Sequence, residues 1–284
     1  MSGAERRSYR LLFLDLDGTL VAESDDVSEP NLRAIERARA AGCEPVVCTG
    51  RSRFSSRTVV ERLGGEGWLV AMNGAVVAHS ATNTVLRHVR LAPDVFDESG
   101  RIIARLGMAP VCFGVHDDDR AIYADRRRSL PSRYESQNAH RLVFVDDVPA
   151  RVPGPPVMVA AYGPPDEVLR ARDLIGAELG SRVRIILSGS PRYGAWVLEV
   201  HAPDSDKAVG AAFLARHLGV EASSVAAVGD HLNDVSLLRW AGLGIAVADA
   251  VPEALEAADA VTLPAREHGV AAAIERWIVP FDDQ

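Results

Sequence analysis

The chain has 284 residues, 48% hydrophobic and 25% charged, which is ordinary for a globular protein and long enough for a large α/β domain with or without a smaller companion. A net charge of −8 excludes a broad electrostatic footprint for nucleic acid or an anionic membrane. The charged start, Met1 to Arg10, and the short apolar stretch after it make neither a signal-peptide core nor a membrane span. Three cysteines, Cys43, Cys48 and Cys112, in no paired spacing, fit a reducing, cytoplasmic setting.

In chain order, Leu11-Leu12-Phe13-Leu14 is a continuous apolar run that predicts a strand buried on both faces, ending in Asp15-Leu16-Asp17-Gly18-Thr19. A helix is predicted over about 28–41, with Ser28 and Pro30 at its start and Gly42 past its end. A strand follows to Cys48, leading into Thr49-Gly50-Arg51, then a helix near 53–63 and a strand at Trp68-Leu69-Val70-Ala71 that stops at Asn73-Gly74. Such alternation predicts a parallel sheet. Between about 80 and 200 the pattern changes to short strands near 85–90, 110–116, 120–124, 142–145, 157–161, 183–188 and 195–200, with helices near 94–106 and 165–179. His116 to Arg120 reads as a hairpin turn, and Arg151 to Pro156 as a loop. The alternation then resumes: a helix from Lys207, strands at 225–228, 243–247 and 259–262, and a last helix over about 269–278. The expected architecture is α/β: a Rossmann-like parallel-sheet core over 1–82 and 191–284, interrupted by an α+β module over 83–190.

Both acidic clusters, Asp15 to Thr19 and Gly229-Asp230-His231-Leu232-Asn233-Asp234, stand at the carboxyl ends of buried strands, where open α/β sheets place ligands. Asp15 and Asp17 are two apart and point to one side, so one can act as nucleophile while the other moves a proton. Asp230 and Asp234, four apart, are expected on one face of a helix starting near Leu232. An acidic turn or a helix cap would account for either cluster alone. Four carboxylates converging on one crevice repel unless a cation holds them, and hard oxygen donors favour Mg²⁺. The Thr49 hydroxyl with the backbone N–H groups of Gly50 and Arg51 can bind phosphate oxygens. Lys207 in a helix's first turn opposes the helix dipole, which implies a compensating anion nearby. In the inserted module, Arg126-Arg127-Arg128, Arg133, Arg192 and Tyr193 are candidates for an anionic or hydroxylated substrate, with the triple arginine better read as a solvated face.

These elements, in this order, resemble the four signature motifs of the haloacid dehalogenase superfamily: Asp15 to Leu20, Thr49-Gly50-Arg51, Lys207, and Gly229 to Asp234. Asn73-Gly74-Ala75 and the position of the insertion resemble the Cof-like branch with a large α/β cap. Where that branch carries Met-Gly-Asn-Ala, this chain has Val247-Ala248-Asp249-Ala250. The resemblance implies a Mg²⁺-dependent phosphatase for small phosphate monoesters, sugar phosphates or nucleotide-like cofactors; the net charge argues against a nucleic-acid or membrane partner. It implies Asp15 as nucleophile, Asp17 as acid and base, and Thr49, Gly50 and Lys207 as phosphate holders. Metal binding is implied for Asp15, the Asp17 carbonyl, Asp230 and Asp234. Arg51, Asn73, Arg192, His231 and Asn233 are further substrate candidates, and the module is expected to close over the crevice and select the leaving group. Two alternatives stand beside it: a phosphomutase or phosphotransferase using the same aspartyl-phosphate, and a non-enzymatic binding protein on the same fold.

Overall fold

The computed structural model describes residues 8–22, 26–64, 67–115, 121–190 and 193–279. The chain forms two compact units. One comprises Met1–Arg51, Ser55–Arg87 and Asp206–Gln284, and the other Ser52–Phe54 and His88–Ser205.

The larger unit opens with β1 (Leu11–Leu14), α1 (Glu29–Ala40), β2 (Glu44–Cys48), α2 (Arg53–Arg62), β3 (Trp68–Ala71), β4 (Val76–His79) and β5 (Val85–His88). In the second unit come α3 (Pro93–Arg105), β6 (Val111–Phe113), β7 (Ile122–Asp125), α4 (Ser132–Asn138), β8 (Leu142–Val145), α5 (Val148–Arg151), β9 (Met158–Gly163), α6 (Pro165–Leu179), β10 (Arg184–Ser190) and β11 (Ala195–His201). The larger unit resumes with α7 (Lys207–His217), β12 (Val225–Gly229), α8 (Val235–Trp240), β13 (Leu243–Ala246), α9 (Pro252–Ala257), β14 (Ala260–Val261) and α10 (Gly269–Ala273).

The large sheet runs β14-β13-β12-β1-β2-β3-β4-β5. All its pairs from β14 to β3 are parallel, and β3 and β4 are antiparallel. β1 and β12 lie side by side in its interior, with Leu11 opposite Val225 and Leu14 opposite Val228. Every residue of both strands is buried, as double-sided helix cover requires. Leu11 and Phe13 pack with Ala211 and Leu214 of α7 and with Leu237 and Leu238 of α8. Phe13 also meets Trp240 edge-on, ring centroids 6.3 Å apart. From β1 the chain proceeds to β2 on one side, and later elements add β12 on the other. The strand order thus reverses between β1 and β12, the switch point outside whose carboxyl edge open α/β sheets place their ligand crevice.

The second unit has a six-stranded sheet, β10-β11-β9-β6-β7-β8. One face is sealed by Val95, Phe96, Ile102 and Ile103 of α3 and by Val168, Ala171 and Ile175 of α6, packed on Cys112, Val159, Ala161, Leu198 and Val200. β7 and β8 are parallel, joined through α4, whereas the other pairs are antiparallel.

Two expectations need correction. The strand near 85–90 belongs to the edge of the large sheet, beside the unpredicted β4, because the chain turns back after Asn73-Gly74 instead of leaving the sheet. The second unit extends to Ser205 and not 190, because β11 pairs with both β9 and β10. The short helices α4 and α5 were missed, lacking a full turn-to-turn apolar stripe. The hairpin turn expected at His116 to Arg120 lies outside the described residues.

Candidate active site

Strand β1 ends at Leu14, and the Asp15 N–H still bonds the Val228 carbonyl of β12 at 3.0 Å. That bond fixes Asp15 at the mouth of the crevice. The chain then makes a tight turn in which Leu20 and Val21 N–H groups return to Leu16. Gly18 has φ +83°, and a Cβ there would sit 2.3 Å from an Asp230 carboxylate oxygen. Only glycine permits both the turn and the carboxylate's approach. The Thr19 hydroxyl donates to Asp230 Oδ1 at 2.9 Å, so it ties the first motif to the last and not to its own turn.

Lys207, the first residue of α7, is fully buried. Its Nζ donates to Asp15 Oδ1 and to Asp234 Oδ1, each at 2.6 Å. Asp206 caps the helix by accepting from Ala208 N at 2.8 Å, and Ser236 Oγ holds both Asp206 oxygens at 2.8 and 2.9 Å. The other oxygen of Asp234 accepts from the Asp230 and His231 N–H groups at 3.2 and 3.1 Å. This closes a turn over 230–234, and α8 begins only at Val235. Asp230 and Asp234 therefore come together through a hydrogen-bonded turn and not on a helical face near Leu232.

Carboxylate oxygens of Asp15, Asp230 and Asp234 lie within 4.8 Å of one another. Burial first, and then the Asp234 charge, hold Asp15 well above the usual carboxylate range against the pull of Lys207. Burial and Asp234 raise Asp230 in the same way. Burial alone would lower Lys207, but Asp15 and Asp234 outweigh it and its pKa is raised, so the ammonium stays charged. One cation thus faces three acids whose grouped donors are all carboxylate oxygens, the chemistry that suits Mg²⁺.

Asp17 is placed differently. Its side chain is 61% exposed and is gripped by Arg51, with Nε donating to Oδ2 at 2.7 Å and Nη2 to Oδ1. Thr49 is buried; its hydroxyl accepts from Arg51 N at 3.1 Å, and its carbonyl accepts from Asn73 N at 3.1 Å. Asn73, buried with φ +53°, accepts at Oδ1 from Asn233 Nδ2 at 2.9 Å, and its amide lies beside Gly50. Asn73 and Asn233 therefore link the second motif to the fourth. Arg51, expected as a substrate contact, is engaged with Asp17.

Asp249 accepts from Ala265 N at 3.2 Å and lies 3.9 Å from Arg266, which binds it to the later chain. Arg126 donates to the Phe144 carbonyl at 2.9 Å, and Arg127 grips the buried Asp125 with two bonds of 3.0 and 2.9 Å. These two arginines brace their own strands. Tyr193 packs edge-on against Tyr134 and Tyr162, centroids 5.0 and 5.9 Å away. Arg192 lies outside the described residues. Sequence reasoning missed Thr19 as a partner of Asp230 and missed Asp206 and Ser236 as the support of Lys207. The only available signal was an aspartate just before a predicted helix start.

The family model described as haloacid dehalogenase-like hydrolase matches residues 12–274. The Bacillus subtilis (strain 168) protein YxeH is 30% identical over 278 residues, spanning 95% of this chain and 99% of that one. A second B. subtilis relative, named 5-amino-6-(5-phospho-D-ribitylamino)uracil phosphatase YcsE, is 26% identical over 270 residues, 95% of this chain and 96% of its own. A crystal structure of a haloacid dehalogenase-like hydrolase from Bacteroides thetaiotaomicron shares the fold, with TM-score 0.82 and 23% identity over 95% of this chain and 99% of the other. No helix among the described residues is long and apolar enough to cross a membrane.

Proposed function

The chain belongs to the haloacid dehalogenase-like hydrolases, and from that premise we propose that it is a Mg²⁺-dependent phosphatase acting on small phosphate monoesters such as sugar phosphates or nucleotide-like cofactors. The observation that carries this reading is the buried Lys207 ammonium 2.6 Å from both Asp15 and Asp234, with Asp230 alongside. A mere binding pocket needs no buried carboxylate aligned by a lysine at the mouth of a crevice.

In the proposed reaction an Asp15 oxygen attacks phosphorus while the ester P–O bond breaks. The departing oxygen takes a proton from Asp17, leaving an aspartyl-phosphate. Asp17, now ionised, removes a proton from a water molecule that attacks phosphorus; the Asp15–phosphorus bond breaks and inorganic phosphate leaves. The Thr49 hydroxyl, the Gly50 N–H and Lys207 hold the phosphoryl oxygens. Such transfers depend on positioning and on neutralising spread negative charge. Asp15, the Asp17 carbonyl and Asp230 would hold Mg²⁺, with Asp234, both of whose oxygens are already engaged, orienting Lys207 and the 230–231 backbone. The ion, when bound, supplies charge neutralisation at the phosphoryl group. We assign leaving-group choice to the second unit.

Phosphate release from a panel of phosphorylated metabolites, with Mg²⁺ and with EDTA, tests the reading. Asp15→Asn is expected to abolish turnover while the protein still unfolds cooperatively. Turnover by Asp15→Asn, or turnover unaffected by EDTA, would overturn the corresponding assignment.

A further inference from the structure

We propose that Arg51 is a positioning residue for Asp17: its guanidinium fork fixes the rotamer and plane of that carboxylate at the edge of the crevice. The inference rests on the assignment of Asp17 as the proton donor. It replaces the expectation that Arg51 contacts substrate.

Asp15 and Asp17 stand two residues apart yet are ordered by different means. Asp15 is buried and fixed by Lys207 and by the sheet bond to Val228. Asp17 lies on a turn with 61% of its side chain exposed, where an unheld aspartate samples several χ1 wells. Arg51 removes that freedom. Its two bonds to the two Asp17 oxygens form the planar fork that sets orientation as well as distance. Arg51 is itself well anchored: its side chain is only 14% exposed, its N–H is held by Thr49 Oγ1 and its carbonyl by Met72 N. The second motif, which holds phosphate, thereby also aims the acid of the first. Proton transfer depends on such placement, and lysine lacks the fork.

The test compares kcat/KM, which reports the steps up to departure of the leaving group, for two substrates. 4-Nitrophenyl phosphate expels a leaving group that needs no proton, whereas glycerol phosphate expels one that does. R51A and R51K are expected to lose roughly tenfold or more on glycerol phosphate, part of the 10²–10⁴ that acid–base assistance supplies, and only a few-fold on the nitrophenyl ester. Inhibition by inorganic phosphate should hardly change. D17N/R51A should be no slower than D17N. The ratio of the two substrates on one preparation is independent of how much variant has folded. Equal losses on both esters with weakened phosphate inhibition, or additive losses in the double variant, overturn the inference and leave the phosphatase reading standing. Failure of the unmodified protein to release phosphate from either ester overturns both.

Discussion

Lys207 places a full positive charge where water does not reach, and two carboxylates at 2.6 Å are its solvation. Burying such ions is costly, and removing one partner leaves the others uncompensated. Lys207→Met should therefore destabilise the protein by about 3–5 kcal/mol, read by urea unfolding in EDTA, with added Mg²⁺ restoring part of the loss. The acids and the lysine were legible in the sequence because each follows an apolar run or opens a helix. Their partners were not. Thr19 reaches Asp230 across 211 positions and Arg51 reaches Asp17 across 34, and no local pattern encodes such pairings.

At the scale of elements, the turn after β3 is the part that brings motifs together. Met72 and Asn73 both take positive φ, and Gly74 follows at +86°. A Cβ on Gly74 would lie 1.9 Å from the Asp206 carbonyl, and one on Gly210 would lie 2.7 Å from the Gly74 Cα. The turn thus lies against the first turns of α7, which carry Lys207. Gly42 also has positive φ but faces open space. Gly42→Ala should cost only the conformational penalty of about 1–2 kcal/mol, and Gly74→Ala clearly more, because backbone must move. Chemical denaturation of the two variants checks the order, and Gly74→Ala should also lose phosphatase activity. Alternating strands and helices made the parallel sheet readable, since double-sided burial writes continuous apolar runs. β4 was not readable: Ala75-Val76-Val77-Ala78 follows β3 too closely for a crossover, and its antiparallel return depends on the left-handed pair at 72–73. The late start of α8 was hidden as well, because Asp234 spends its carboxylate on the preceding turn.

For the whole molecule, all three thiols are buried, Cys112 in the core of the second unit and Cys48 in that of the larger one. Burial raises Cys43 to about 12, and raises Cys48 and Cys112 further. The unfolded thiols ionise near 9, so between that pH and 12 the unfolded chain holds fewer protons than the folded one. Stability should be undiminished by this effect below pH 9 and fall as pH rises above it. Urea midpoints at pH 8 and pH 10.5 check the slope, and Cys→Ser variants should flatten it. A disulfide-exchange reagent should find no thiol in the folded protein at pH 7.5.

The pairing of β1 with β12 has a consequence for synthesis on the ribosome. β1 can meet β2 almost at once, but its other edge waits for a strand that emerges roughly two hundred residues later, about 10–40 s at ordinary translation rates. During that interval Leu11 to Leu14 present an open apolar edge, the kind that invites wrong partners. The six-stranded sheet, whose strands all lie between Val111 and His201, can complete itself meanwhile. Nascent chains stalled before Val225 should accordingly resist protease over that middle stretch while their first fifty residues remain open to cleavage or to a chaperone.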